Sequence, residues 1–202
     1  MRDRIRRCLD ATHRVDIYAG DHAVAGMAPE DRTLMPAAVL VPLVERPEGY
    51  TVLLTQRTAH LENHAGQISF PGGRAEDEDA GPVDTALREA EEEIGLHRRH
   101  VAEIAGFLDR YQTVTGFLIT PVVGFVTPPF DLALDDFEVA EAFEVPLEFI
   151  LDPGNHENRS MLYKGQERRY YVIPYENRFI WGATAAMLVN FARRLTAHPL
   201  LS

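Results

Sequence analysis

An α/β chain of the α+β kind, scattered sheet strands combined with helices, is predicted by three observations. Two short apolar runs, AAVLVPLV at 37–44 and YTVLLTQ at 50–56, flank the turn-rich ERPEG and read as neighbouring strands. Val83, Ala86, Leu87, Ala90 and Ile94 form one apolar stripe at helical spacing that stops at Gly95. Ile180, Met187, Leu188, Phe191 and Leu195 share another face, predicting a packing helix from Phe179 to about Leu195.

The remaining elements fit around these. Ile5, Cys8 and Leu9, with Thr12 one turn on, suggest a short N-terminal amphipathic helix before a Gly/Ala/Pro-bearing stretch. Residues 1–35 are therefore expected to be an accessory segment and residues 36–202 the main domain, since 202 residues suit a single core. Residues 57–82, poor in β-branched residues and rich in turn formers, should be a loop feeding the helix of the first stripe. Strands are expected near 102–108 and 117–126, then a Pro/Asp/Glu-rich stretch over 127–148 and a hairpin around Lys164-Gly165.

Composition excludes several functions. A net charge of -11 gives no basic face for a nucleic-acid backbone, so nucleic acid is not an expected partner. Cys8 is the single cysteine, which rules out an intrachain disulfide or a cysteine-built zinc site and favours a reducing, cytoplasmic home. No run of 18 apolar residues and no signal-peptide core occurs, so no membrane is expected. The sequence leaves a homodimer open.

The carboxylates of SFPGGRAEDEDAGPVDTALREAEEEIGL, residues 69–96, need an explanation because no lysine lies among them. At about 100° per residue, Glu89, Glu92 and Glu93 share one arc of the helix away from the apolar stripe, whereas Glu91 points elsewhere. Arg88 precedes Glu92 by four residues and can hold its carboxylate. Phe70-Pro71-Gly72-Gly73 forms a bend in which a bare carbonyl can approach a cation. Carboxylates and a carbonyl are the ligands that Mg²⁺ or Mn²⁺ prefers.

Gly73, the acids Glu76 and Asp79, and Arg88-Glu-Ala-Glu-Glu-Glu-Ile-Gly-Leu96 resemble the Nudix box, G-x5-E-x7-R-E-U-x-E-E-x-G-U, of the Nudix hydrolases. Two departures are visible: Asp79 fills the first acid slot, and eight residues rather than seven follow it before Arg88. The chain also resembles the coenzyme A pyrophosphatase-like branch, whose upstream motif is L-L-T-x-R-[SA]-x3-R-x3-G-x3-F-P-G-G. Leu53-Leu54-Thr55-Gln56-Arg57-Thr58 and Gly66 through Gly73 match its spacing, with Thr58 in place of Ser/Ala and Glu62 in place of Arg.

This resemblance implies a Nudix fold, a mixed β-sheet sandwiched between α-helices, over roughly residues 36–195. It implies Glu89, Glu92 and Glu93 as Mg²⁺ or Mn²⁺ ligands, with the Gly72 carbonyl assisting and Arg88 orienting a box carboxylate. Asp79 is a weaker ligand candidate because of the shifted spacing. Arg57 and Gly73 would meet the substrate, Arg57 through a phosphate, and the general base would be a box acid, Glu138 or Glu141, with Glu138 ahead. The implied reaction is hydrolysis of coenzyme A or acyl-CoA to 3′,5′-ADP and (acyl-)phosphopantetheine. ADP-ribose, NADH and nucleoside triphosphates stay open because Glu62 reverses a charge, and a non-catalytic nucleotide-binding regulator is the reading from another class.

Other signals weigh less. His60/His64 and His97/His100 lack the further ligands that a zinc site needs. Trp181 reads as a core residue of the last helix rather than a base-stacking platform. Lys164, Arg168, Arg169 and Arg178 carry positive charge, but spacing places none of them at the site. No G-x4-G-K-[ST] phosphate loop is present.

Overall fold

The structure, a computed structural model, describes residues 1–9, 17–20, 34–60, 65–163 and 166–197. Helix α1 (Arg2–Cys8) and strand β1 (Ile17–Gly20) precede two long strands, β2 (Met35–Arg46) and β3 (Gly49–Arg57). Short strands β4 (Ile68–Ser69) and β5 (Gly72–Arg74) lead to helix α2 (Pro82–Ile94). Strands β6 (Val101–Phe107), β7 (Arg110–Gln112), β8 (Phe117–Val126) and β9 (Val139–Pro146) follow, then helix α3 (Leu147–Leu151). Strands β10 (Glu157–Tyr163), β11 (Gln166–Tyr175) and β12 (Arg178–Trp181) and helix α4 (Gly182–Ala197) complete the chain.

β2 is the axis of the larger sheet. One edge pairs in parallel with β8, Met35–Val44 against Phe117–Val126. The other edge is divided: Leu43–Arg46 pair with β3, and Ala37–Val39 pair with β5. β3 then diverges from β2 and carries β9 on its far edge and β4 at Thr55–Gln56. The antiparallel and parallel pairings together make the sheet mixed, as expected. β10, β11 and β12 form a separate antiparallel sheet.

Every residue from Ala37 to Val44 is buried, the pattern of a strand covered on both faces. Val39, Val41 and Leu43 face a core shared with Ile5 of α1, Leu147 and Ile150 of α3 and the buried side of α4. Ala38, Leu40 and Val44 face the opposite way, against Ala86, Leu87, Ala90 and Ile94 of α2. The predicted acid-helix stripe is thus the surface that α2 packs on the sheet. Among the described residues no helix is long and apolar enough to cross a membrane.

Some elements differ from expectation. The last helix starts at Gly182, and Ile180 and Trp181 belong to β12. A positive φ of 64° at Gly182 turns the chain from strand into helix, a break that apolar periodicity does not register. Trp181 is only half-buried and meets Tyr170 edge-on, with ring centroids 5.9 Å apart. The expected loop 57–82 contains β4 and β5, and the acidic stretch 127–148 contains β9. Thr12, Glu62, His64, Lys164 and Gly165 lie outside the described residues; β10 and β11, on either side of 164–165, pair antiparallel.

The N-terminal helix is bound into the core: Ile5 is fully buried, and the Arg4 guanidinium donates to the Leu195 carbonyl at 2.7 and 3.2 Å. Ile5→Ala should therefore cost roughly 2–4 kcal/mol of stability, read from urea denaturation, whereas a detached segment would give no change.

Candidate active site

The site begins at the bend between β4 and β5. Gly72 has φ +154°, and a Cβ there would fall 2.5 Å from the Ala38 carbonyl oxygen and the Val39 Cα, so glycine alone lets β5 lie against β2. Leu40 N–H donates to the Pro71 carbonyl at 2.9 Å, and Ala75 N–H donates to that of Pro36 at 3.0 Å. Alternation in this antiparallel ladder leaves the N–H and carbonyl of Gly72 facing away from β2. The N–H donates to Glu93 Oε2 at 3.1 Å. A Cβ on Gly73 would sit 2.6 Å from the Glu89 carboxyl carbon, so Gly73 makes room for Glu89 as Gly72 does for β2.

Arg88 joins the loop to the helix. Its Nε and Nη2 each donate to one Asp79 oxygen at 3.1 Å, and Nη2 also donates to the Arg74 carbonyl at 3.0 Å. Its Nη1 donates to Glu89 and Glu92, both at 3.0 Å, which realises the expected contact four residues along the helix. Asp79 also accepts from the Glu76 N–H and the Thr85 hydroxyl. The Arg88 fork and these donors hold its carboxyl well below the usual carboxylate range. Asp79 is thereby engaged with Arg88 rather than turned toward Glu93, despite the longer spacing.

Arg57, at the end of β3, lies between two acids. Its Nη1 is 3.9 Å from Glu93 Oε1, and its Nη2 is 3.7 Å from Glu138 Oε2. Its buried Nε has no hydrogen-bond partner among the described residues. Glu141, the other late acid, is paired with Arg178 instead. Gln56 stands opposite Glu141 and next to Arg57, so strand alternation puts Glu141 on the face away from Arg57. The Arg178 guanidinium also covers the Phe143 ring at 4.3 Å, which leaves Arg178 outside the site. Arg168 and Arg169 lie on β11, in the separate sheet.

Burial divides the three expected ligands. Glu93 has 8% of its side chain exposed, Glu89 17% and Glu92 59%. Among the described residues no three Asp, Glu, His or Cys side chains close on one point as a metal cage would. Glu93 is drawn beneath β5 by Gly72, Glu89 is pressed on Gly73, and Glu92 reaches outward to Arg88. Helix geometry put all three on one arc; hydrogen bonds keep Glu89 and Glu92 together on Arg88 Nη1 and draw Glu93 apart to the Gly72 N–H.

Burial pushes the Glu93 carboxyl up to about 7, with Glu89 and Glu138 adding to the rise and the Gly72 N–H and Arg57 opposing it. Glu89 is raised as well, chiefly by burial and against the pull of Arg88. Two acids that resist ionising side by side, near a backbone carbonyl left outside its ladder, match the hard oxygen donors of a divalent cation. Glu93, Glu89 and the Gly72 carbonyl are thus the groups that could hold such an ion, with Glu92 available from the rim. Glu91 faces away and contacts His97 Nδ1 at 2.6 Å.

Residues that sequence reasoning passed over also shape the site. Thr85 braces Asp79, and Asp135 donates its N–H to the Glu93 carbonyl at 2.9 Å. Asp135 stands in a run of similar acids, so no spacing singles it out.

Asp79→Asn, which removes the charge from the Arg88 fork, should cost roughly 2 kcal/mol at neutral pH, measured by urea denaturation. A depressed folded pKa contributes stability that is complete above the unfolded value of about 3.9 and fades as pH falls through the folded one. The difference between wild type and variant should accordingly shrink on acidification below about pH 4. A gap that stays constant down to about pH 2 would contradict the ionic fork.

Comparison with known proteins bears on the family and the fold. The family model described as NUDIX domain matches residues 34–164. The Escherichia coli K12 protein named uncharacterized Nudix hydrolase NudL is 40% identical over 163 residues, covering 81% of this chain and 84% of that protein. The MutT protein from Methanosarcina mazei Go1 superposes with a TM-score of 0.52 at 21% identity, covering 84% of this chain and 97% of that one. RenU, a Nudix hydrolase from M. smegmatis, gives 0.50 at 21% identity, covering 86% and 99%. These two structures bear on the fold alone. With its box, its split mixed sheet and its relatives in agreement, the chain belongs to the Nudix family and is a pyrophosphohydrolase of the Nudix hydrolase type.

Proposed function

We propose that the protein is a Mg²⁺- or Mn²⁺-dependent cytoplasmic diphosphatase that cleaves coenzyme A or acyl-CoA to 3′,5′-ADP and (acyl-)phosphopantetheine. Arg57 carries this reading. The motif that aligns the chain with the CoA-cleaving branch leads to this guanidinium, which stands beside Glu93 and Glu138 with ion pairs at 3.9 and 3.7 Å and a buried Nε unpartnered among the described residues. A planar cation so weakly engaged by protein is suited to a phosphate.

Nudix hydrolases generally use divalent metal ions. Such an ion supplies charge neutralisation for the diphosphate and a more acidic water. In this chain Glu93, Glu89 and the Gly72 carbonyl would hold it, with Glu92 joining from the rim. Arg88 keeps Glu89 and Glu92 oriented through bonds of 3.0 Å. Arg57 orients the diphosphate and offsets the negative field of an acidic protein. Glu138, beside Arg57 and 42% exposed, takes the proton from the attacking water and leaves it at a solvent-accessible carboxylate.

The charge reversal at Glu62 favours a second reading within the same chemistry, with ADP-ribose, NADH or a nucleoside triphosphate as substrate. A lost phosphate contact of this kind is worth about 1.5–3 kcal/mol.

Product chromatography after separate incubation with CoA, acetyl-CoA, ADP-ribose, NADH and dGTP, each with Mg²⁺ or Mn²⁺, tests the proposal. Phosphopantetheine and 3′,5′-ADP are expected from CoA, and cleavage of another diphosphate alone would transfer the assignment to that substrate. Glu93→Gln should lower kcat by about 100-fold or more, while Glu91→Gln, on the wrong arc, should stay within about twofold. Equal losses in both variants would overturn the assignment of the ligands.

A further inference from the structure

Resting on the reading of Glu138 as the base, we infer that Thr58 and Asp135 are positioning residues that set the place of its carboxylate. The Glu138 carboxylate is anchored by no close donor among the described residues: its one ion pair there is the 3.7 Å approach of Arg57 Nη2. A side chain without a direct hydrogen bond is only as well placed as the backbone that bears it. That backbone is held from two sides.

On one side is Thr58, the residue after Arg57. Its N–H donates to the Glu138 carbonyl at 2.9 Å, and its hydroxyl donates to the Phe137 carbonyl at 2.8 Å. The residue is 7% exposed, so these bonds are shielded from competing water. On the other side is Asp135. Its N–H donates to the Glu93 carbonyl at 2.9 Å, and its own carbonyl accepts from Glu138 N–H at 3.0 Å and Val139 N–H at 2.8 Å. Its carboxylate accepts from the Phe137 N–H at 2.9 Å.

The two anchors lead to the groups that Glu138 faces. Thr58 adjoins Arg57, and Asp135 hangs from Glu93, so the segment 135–138 is referenced to the phosphate-binding cation and to the buried ligand at once. A base must keep its geometry within a fraction of an ångström to act on a positioned water, and about 1 Å of misplacement costs on the order of 100-fold. The hydroxyl of Thr58, where the upstream motif allows Ser or Ala, makes one of the two bonds by which Thr58, just past β3, grips the segment 137–138.

A double-mutant cycle on the substrate found by product analysis tests this. Thr58→Val should lower kcat about 10-fold with KM within about twofold, and Thr58→Ser, which keeps the hydroxyl, should recover wild-type turnover. In a Glu138→Gln background Thr58→Val should cost nothing further. Amide exchange at Glu138 and Val139 should accelerate in Thr58→Val and return to normal in Thr58→Ser. If Thr58→Val does not fold, Asp135→Ala, which keeps the backbone bonds and removes the carboxylate that accepts from the Phe137 N–H, replaces it in the cycle with the same loss of kcat expected.

Independent, multiplying losses from Thr58→Val and Glu138→Gln, or an effect on KM alone, would overturn the positioning role while leaving Glu138 as base. Full kcat in Glu138→Gln, or no turnover of any diphosphate, would remove the base and its positioning together.

Discussion

The five-donor fork of Arg88 is the interaction on which the site depends. One guanidinium binds both oxygens of Asp79, the Arg74 carbonyl, Glu89 and Glu92. It therefore ties the strand that leaves the glycine bend, the acidic loop and the helix into one rigid unit. A planar, permanently charged fork can do this because its donors are fixed in direction, whereas an ammonium would supply charge without geometry. The like charges of the loop and helix, which would otherwise repel one another, share a single positive centre.

Around that unit the backbone supplies what side chains cannot. Gly72 comes so close to β2 that no Cβ would fit, and its outward N–H draws Glu93 into a buried position. The Gly95 cap ends α2 through bonds from Gly95 N–H to Glu91 and from Leu96 N–H to Ala90. Residues 133 and 135 then satisfy the carbonyls of Ile94 and Glu93. The end of the helix is thus closed by the segment that carries Glu138, so helix termination and active-site assembly are one construction.

Electrostatics gives the site its chemical character. A chain of net charge -11 sets Glu93 and Glu138 on either side of Arg57 and holds Glu89 on Arg88, and burial opposes ionisation of the deepest, Glu93. Such an arrangement is poorly balanced by protein alone and has room for more positive charge. The mixed sheet serves it by splitting at β2: the gap between β2 and β3 is where β4 and β5 enter, and there Arg57 at the end of β3 comes near Glu93 of α2.

Much of this was legible in the amino-acid order. Periodicity located β2, β3, β8, α2 and the body of α4, because each buries a regular apolar face. The box and the upstream motif marked Arg57, Gly72, Arg88, Glu89, Glu92 and Glu93 as one constellation, because their roles depend on local spacing along a bend and a helix. The short strands β4 and β5, the placing of Glu138 beside Arg57 and of Glu141 beside Arg178, and the bonds made by Asp135, Thr85 and Thr58 came only from tertiary structure. These depend on contacts between residues far apart in sequence, such as Thr58 with Phe137 and Glu138. A glutamate has the same composition whether it pairs with Arg178 from within β9, as Glu141 does, or stands beside Arg57 just before that strand, as Glu138 does; only the packed sheet decides which. The sequence by itself determined the chemical class of the candidate ligands and their helical register, which are local properties, whereas burial, pairing and direction, which depend on distant neighbours, were decided by the fold.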